Sequence, residues 1–267
     1  MRAKDNWPSG RPSLAGSSSR TTPRQGLSGD VSRSESPEVV ATRRGVRLVQ
    51  EGHVLSEVLA RPAPTHSLFD LMAACVVELT PGPRVLLLGF GGGSIVAPLR
   101  ALGFTHAIEA VDLSRPSARV FRRVAGAWAG SVHVAIADAA GFLRRARNRY
   151  DLIVEDLSLP VAGDLVMPDV CFAPLPDLIA GHLRPGGAAV INAFSPGSTG
   201  WRAHLDRLVC PGHETLRLIP DDFDHSLLLS ARHLPSAADL ARRLRRSLER
   251  LRSKQAHRFA LRRRSRR

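Results

Sequence analysis

A chain of 267 residues with 43% apolar side chains is long enough for one sizeable α/β domain plus tails, and cramped for two full domains. The richest apolar run, 73–79, is short and carries Glu78, far from the ~18 residues that a membrane span needs, and the N-terminus lacks the apolar core of a secretory signal. The formal charge of +14 points toward nucleic acid until it is divided: residues 1–37 hold six basic and three acidic groups, residues 236–267 hold thirteen and two, and the body between is neutral, so an electrostatic partner is a matter for the tails.

Residues 1–37, crowded with Ser, Arg, Pro and Gly, have no apolar periodicity and are expected to be disordered. From 38 to 60, three short extended pieces between turn signals predict an antiparallel hairpin unit. The spacing of Leu68, Leu71, Met72, Cys75 and Val76 predicts a helix over 66–79, with Thr65 as N-cap. The apolar run Val85-Leu86-Leu87-Leu88 then empties into Gly89-Phe90-Gly91-Gly92-Gly93-Ser94, and helical spacing resumes over 95–102. A strand, a tight loop and a helix in that order allow backbone N–H groups and a helix N-terminus to meet a polar ligand, because glycine accepts positive φ and carries no Cβ.

Beyond that loop the pattern alternates. Strands are predicted over 107–113, 132–137, 150–155 and 188–194, with helices over 116–127, 139–147, 170–183 and 201–208, and two late β pieces over 214–219 and 225–231. Such alternation predicts an α/β, doubly wound, mostly parallel sheet over 84–232 with a closing antiparallel hairpin. Ligands of such sheets lie at the carboxyl ends of the strands, where Gly89, Asp112, Asp138 and Asp156 all fall. Asp112 can accept from both hydroxyls of a ribose, and Asp138 from an amino group on an adenine edge; the competing reading of each is an N-cap for the next helix.

These residues resemble the spermidine synthase-like branch of the S-adenosylmethionine-dependent methyltransferase fold. The resemblance covers 38–232 and runs through the 85–94 motif, Val111-Asp112-Leu113, Ala137-Asp138-Ala139, Tyr150 to Asp156, and Pro185-Gly186-Gly187 before a strand. It implies a seven-stranded Rossmann-like sheet and S-adenosylmethionine or its decarboxylated form as cofactor. Gly89, Phe90, Gly91 and Gly93 would hold its amino-acid end, Asp112 and Leu113 the ribose side, and Asp138 and Ala139 the adenine, with Asp156 facing the reacting centre. Leu87 stands where orthodox class I methyltransferases usually place an acid, as in the synthase-like branch.

The departures favour methyl over aminopropyl transfer. Leu159 replaces a second acid three residues after Asp156, Phe69-Asp70-Leu71 replaces a Tyr-His-Glu cluster, Leu55 replaces a glutamine, and Tyr150 is the only tyrosine. A diamine would leave ammonium groups unpaired against these apolar side chains, at a cost of several kcal/mol. The expected partner is therefore a small-molecule acceptor, with a homodimer left open. A nicotinamide site is disfavoured by Ser94 in its last glycine place, and a serine-hydrolase elbow lacks its closing glycine at Val96.

Cys75, Cys171 and Cys210 are widely spaced and odd in number, which fits a reducing cytoplasm, and Cys210 with His213 lacks the second pair of a metal site. At the C-terminus, Leu240, Leu244, Leu248 and Leu251 form one stripe on an arginine-rich helix ahead of a run of arginines. The segment 236–267 reads as a docked terminal helix with a frayed tail, or as an arm that carries the domain to nucleic acid or another acidic surface. A domain that keeps the fold without turnover and works through that arm is the reading from another class.

Overall fold

The computed structural model describes residues 36–161, 164–196 and 200–264. The disorder expected for the N-terminal tail concerns residues that lie almost wholly outside these. Chain order runs β1 (Glu38–Thr42), β2 (Gly45–Gln50), β3 (His53–Leu59), α1 (Leu68–Leu79), β4 (Val85–Leu88), α2 (Val96–Ala101), β5 (Ile108–Asp112), α3 (Arg115–Ala125), β6 (Val132–Ile136), α4 (Ala139–Arg145), β7 (Tyr150–Glu155), β8 (Leu159–Val161), β9 (Asp164–Val166), α5 (Leu175–His182), β10 (Leu183–Phe194), α6 (Trp201–Asp206), β11 (Glu214–Pro220), β12 (His225–Ala231), α7 (Ala237–Arg250) and β13 (Phe259–Arg263).

β1, β2 and β3 form a separate three-stranded antiparallel sheet, as the early turn signals predict. The main sheet has the order β13-β11-β12-β10-β7-β4-β5-β6. Its strands from β10 to β6 are parallel, and β12 joins β10 antiparallel. β4 sits near the centre, entirely buried, and the chain winds outward through β5 and β6 before returning to β7 on the other side of β4. That reversal opens a crevice at the carboxyl ends of β4 and β7.

Both faces of the sheet are covered. One face packs on α1, α2, α3 and α7 through Leu71, Met72, Val96, Leu99, Phe121, Leu240 and Leu244; the other packs on α4, α5 and α6 through Leu143, Ile179 and Leu205. Burial on both sides explains why the inner strands read as unbroken apolar runs.

Three local expectations are corrected. Ser67, not Thr65, caps α1: its Oγ accepts from Phe69 N, while Thr65 donates through both N and Oγ1 to the wholly buried Asp70 carboxylate. His66 N and Ser253 Oγ donate to the same carboxylate, so a buried charge satisfied by four donors draws the preceding chain inward and delays the helix. The helix expected over 170–183 is shortened to α5 with one 3₁₀ turn, Asp169–Cys171, ahead of it: Pro174, which has no N–H to carry a helix through, sits at the N-cap of α5, and Pro176 is tolerated in its first turn.

The third correction concerns the C-terminus. The leucine stripe of α7 is buried, and Arg243 and Ser247 donate to Glu78 of α1. Residues 259–263 are no frayed tail: they add β13 to the sheet edge, antiparallel to β11 with Leu218 opposite Leu261, making eight strands. Among the described residues no helix is long and apolar enough to cross a membrane.

Candidate active site

The glycine loop is shaped by what each absent Cβ would strike. A Cβ on Gly89 (φ +84°) would lie 2.3 Å from the backbone oxygen of Asp156, so only glycine lets the end of β4 press against the end of β7. One on Gly93 (φ +73°) would meet the Phe90 and Phe121 rings, which stack edge to face at 4.9 Å; Phe90 is therefore part of the packing beneath the loop. Gly91 (φ +53°) differs, since a Cβ there would only reach ordinary van der Waals contact, with Ser56 Cβ at 3.8 Å and Leu55 O at 4.0 Å.

The loop amides have partners. Phe90 N and Gly91 N donate to Asp112 Oδ2 at 2.8 and 2.6 Å, Gly93 N donates to Phe90 O, and Gly92 N donates to Ser56 Oγ at 3.0 Å. The N–H groups of Phe90, Gly91, Gly92 and Gly93 are thus held by the chain itself and are not left waiting for an anion. Ser56 Oγ also lies 2.6 Å from Ser94 Oγ, and Glu57 N donates to Ser94, which fastens the N-terminal sheet over the loop. Nothing in the sequence marks Ser56, since a serine in a short strand has no periodic or motif signal.

Asp112 ends β5 and is partly buried, and Ser114 N donates to its Oδ1 at 2.6 Å. Loss of water raises its affinity for a proton, against which the N–H groups of Ser114, Gly91 and Phe90 act. It is not the cap of α3, a role taken by Ser114. Leu113 beside it is 61% exposed, an apolar side chain held out over the strand ends. Asp138, at the end of β6, is exposed and does cap α4, accepting from Gly141 N at 2.6 Å through Oδ1, and Ala139 is buried behind it in the first turn. Gly89, Phe90, Gly91 and Asp112 are thus in one bonded group, with Leu113 on its rim and Asp138 one strand further out.

Asp156 follows β7 directly and turns toward α1, whereas Glu155, by strand alternation, turns to the opposite face. Under the loop, Phe69, Met72, Leu87, Phe90, Ile95 and Val154 enclose a cavity into which Asp156 is the one titratable group that projects. Its free space is about 10 Å³, no more than one water requires, so this end of the site is closed. Burial pushes the Asp156 carboxyl up to about 6, assisted by the Asp112 charge and opposed by a hydrogen bond from Asn192. Asn192 Nδ2 donates to Asp156 Oδ1 at 2.7 Å, and Asn192 Oδ1 lies 3.0 Å from His225 Nδ1.

Glu155 is wholly enclosed. Loss of water pushes it up to about 8, with the Asp156 charge adding to the rise, while Leu157 N and the Cys171 thiol donate to its Oε1 and oppose it. The folded state therefore holds the Glu155 proton more tightly than the unfolded chain does. Its contribution is full below about pH 4.5 and is lost as pH rises through about 8. Glu155→Gln is expected to remove this dependence: denaturant melts should show wild type losing more than ~1 kcal/mol relative to the variant between pH 6 and 8.5.

The positions that depart from aminopropyltransferases are equally clear. Phe69 lines the cavity while Asp70 turns away from it into its four-donor cluster. Leu159 is exposed on β8, which pairs with β9 in a small hairpin that follows Asp156. Tyr150 opens β7, at the far end of that strand from Asp156, and its hydroxyl donates to Glu109 Oε2 at 2.9 Å.

With this geometry in view, the chain can be set beside known proteins. No family model and no curated protein matches its sequence. Solved structures do match: a probable spermidine synthase from Corynebacterium glutamicum ATCC 13032 superposes with a TM-score of 0.67 at 15% identity, over 90% of this chain and 91% of that one. Spermidine synthase from Thermotoga maritima gives 0.58 at 15% identity over 78% and 73%, and human methyltransferase-like protein 13 in complex with SAH gives 0.52 at 21% identity over 69% and 91%. The fold is the methyltransferase fold in its spermidine synthase-like form, with the small antiparallel sheet ahead of the main one.

Proposed function

We propose that the protein is an S-adenosylmethionine-dependent transferase that methylates a small, largely apolar acceptor bearing one protic group. The observation that carries this reading is the pairing of one carboxylate, Asp156, with a cavity whose other lining is apolar apart from Ser94, under a glycine loop whose near side is bonded to Asp112. The residues fit the adenosyl group: Gly91 gives a partly exposed backbone beside Asp112, Asp112 is a partly exposed carboxylate with lone pairs to accept from ribose hydroxyls, Leu113 offers an apolar face, and Asp138 an exposed carboxylate for an amino group. Structures with SAH in one neighbour and a transition state analogue, AdoDATO, in a spermidine synthase support the same cofactor class.

S-adenosylmethionine supplies a sulfonium methyl carbon that needs an acceptor lone pair in line. The chain's own part is to hold the acceptor there and take its proton on Asp156. A carboxyl that titrates near 6 is ionised at neutral pH yet remains a competent base. Phe69, Met72, Leu87, Ile95 and Val154 exclude water and offer no counter-charge, and the cavity must widen before either substrate enters.

Aminopropyl transfer from the decarboxylated nucleotide is the competing reading. A diamine keeps a second ammonium that needs its own acid, and Leu159, Phe69 and the distant Tyr150 supply none. Against the binding-module reading speaks the docking of the arm: α7 is packed on α1, β13 is in the sheet, and Arg243, Arg258 and Arg263 are engaged with Glu78, Asp222 and Glu214.

Calorimetric titration with S-adenosylmethionine and its decarboxylated form separates the two transfers. Tighter binding of the carboxylate-bearing nucleotide is expected, and preference for the decarboxylated one would reverse the assignment.

A further inference from the structure

Three strands place one polar side chain each on the face of the sheet that carries the cavity. Asp156 follows β7; Asn192, 3% exposed, lies near the end of β10; His225 opens β12. β10 runs parallel to β7 and antiparallel to β12, and Phe194 pairs with His225 across the register, so the three polar groups reach each other although far apart in sequence. The His225 ring leans on Phe194 with centroids 4.4 Å apart, which fixes its plane.

The chemistry of the groups sets the direction of both hydrogen bonds. An ionised carboxylate only accepts, so the Asn192 amide nitrogen must face Asp156. The amide oxygen then faces the imidazole, which must donate from Nδ1. Burial lowers the affinity of His225 for a second proton, with Asp224 opposing, so the neutral ring carries its proton on Nδ1 and leaves Nε2 unprotonated.

We propose that Asn192 and His225 are positioning residues for Asp156, forming an amide relay in which His225, as its Nδ1–H tautomer, fixes the Asn192 amide, and the amide holds one carboxylate oxygen so that the other is turned toward the acceptor. The purpose of the relay rests on the transferase reading, but its existence does not. Among the described residues only Oδ1 of Asp156 is hydrogen-bonded, so Asn192 holds that oxygen and leaves Oδ2 to meet the acceptor. When Asp156 gains a proton on Oδ2, the oxygen that faces the acceptor, Oδ1 remains an acceptor, so Asn192 keeps donating to it and His225 keeps its proton on Nδ1. The proton count of the ring is unchanged; only Asp156 gains one, from the acceptor or from solvent. The charged and titratable neighbours of the relay are Asp112 and Glu155 beside Asp156, Cys171 behind it, and Asp224 beside His225; Phe69 and Met72 of α1 bring no charge.

The test uses the full chain labelled with ¹⁵N-histidine and ¹³C-aspartate, without nucleotide or acceptor, and follows imidazole nitrogens and aspartate carboxyls by NMR from pH 5 to 8. His225 is expected as the Nδ1–H tautomer at pH 7.5 and should keep that tautomer while the Asp156 carboxyl titrates near 6. Asn192→Leu should free the ring to a mixture of tautomers and raise the Asp156 midpoint by about 1, since a donor to the carboxylate is lost. His225→Phe, which keeps the ring stack and removes only the donor to the amide oxygen, should raise that midpoint by less. An Nε2–H ring at pH 7.5, or an Asp156 midpoint unmoved in Asn192→Leu, would overturn the relay. Neither result depends on whether the protein binds S-adenosylmethionine, so the two readings fail separately.

Discussion

Asp156→Asn should bind S-adenosylmethionine within about threefold of wild type and turn over ~10²–10⁴-fold more slowly, the span that a positioned general base contributes. The amide keeps the size of the carboxyl and can still meet Asn192, so the closed cavity around Phe69, Met72 and Val154 is retained. What is lost is the lone pair that accepts the acceptor's proton. Wild-type kcat should fall as pH drops through about 6, where the carboxyl gains its proton, and the variant should show no such limb. Single-turnover rates measured once the acceptor class is known separate this loss from binding. Equal rates in the two proteins would remove Asp156 from the chemistry and leave it as a residue that ties β7 to β10.

The second large effect divides two glycines that look alike in sequence. Gly89→Ala places a carbon 2.3 Å from the Asp156 carbonyl oxygen and 2.7 Å from its carbonyl carbon, both backbone atoms in the buried centre of the sheet, at a φ of +84°. Neither side can yield without shifting β4 against β7, and a loss of more than ~3 kcal/mol is expected, enough to consume much of a domain's stability. Gly91→Ala has a φ of +53° and nothing nearer than 3.8 Å, so only the left-handed backbone strain of ~1–2 kcal/mol applies. Its new methyl packs against Ser56 and Leu55 O and strains the backbone whose N–H Asp112 holds, so S-adenosylmethionine affinity should fall at least ~10-fold, or 1.4 kcal/mol. Thermal melts with parallel titrations test the pair. A Gly89→Ala as stable as wild type, or a Gly91→Ala that binds as wild type does, would break the division of roles.

Those two glycines also show how far the sequence is legible. The strand–loop–helix over 85–102, the acids at three successive strand ends and the early hairpin unit all announce themselves, because buried parallel strands and turn residues have strong local signatures. Which glycine the packing of β7 requires does not, since both satisfy one pattern and differ only in what the fold brings beside them. The same holds for the acids. Asp138 is both a helix cap and a strand-end carboxylate, and Asp112 is bound to the loop it was expected to assist.

Side chains that meet across strands were not legible at all. Ser56 lies in β3 and Ser94 in the glycine loop, 38 residues on, and Asn192 and His225 are joined only by the register of β10 with β12. Asp70 reads as a remnant of a lost motif until its donors, one of them from Ser253, show it holding α1 to the C-terminal segment. β13 hides for another reason. In Phe259-Ala260-Leu261-Arg262-Arg263 the apolar residues are too few to signal a strand, and arginine is common on an exposed sheet edge, where it deters further pairing.

The account stands on one adenosyl group lying against Gly91, Asp112 and Leu113, and calorimetric titration of the wild-type chain with S-adenosylhomocysteine tests it most directly. A saturable one-to-one isotherm in the micromolar range, weakened at least ~10-fold by Leu113→Glu, which sets a charge on an exposed rim without touching the core, is the predicted result. No heat and no thermal stabilisation at millimolar nucleotide would contradict it.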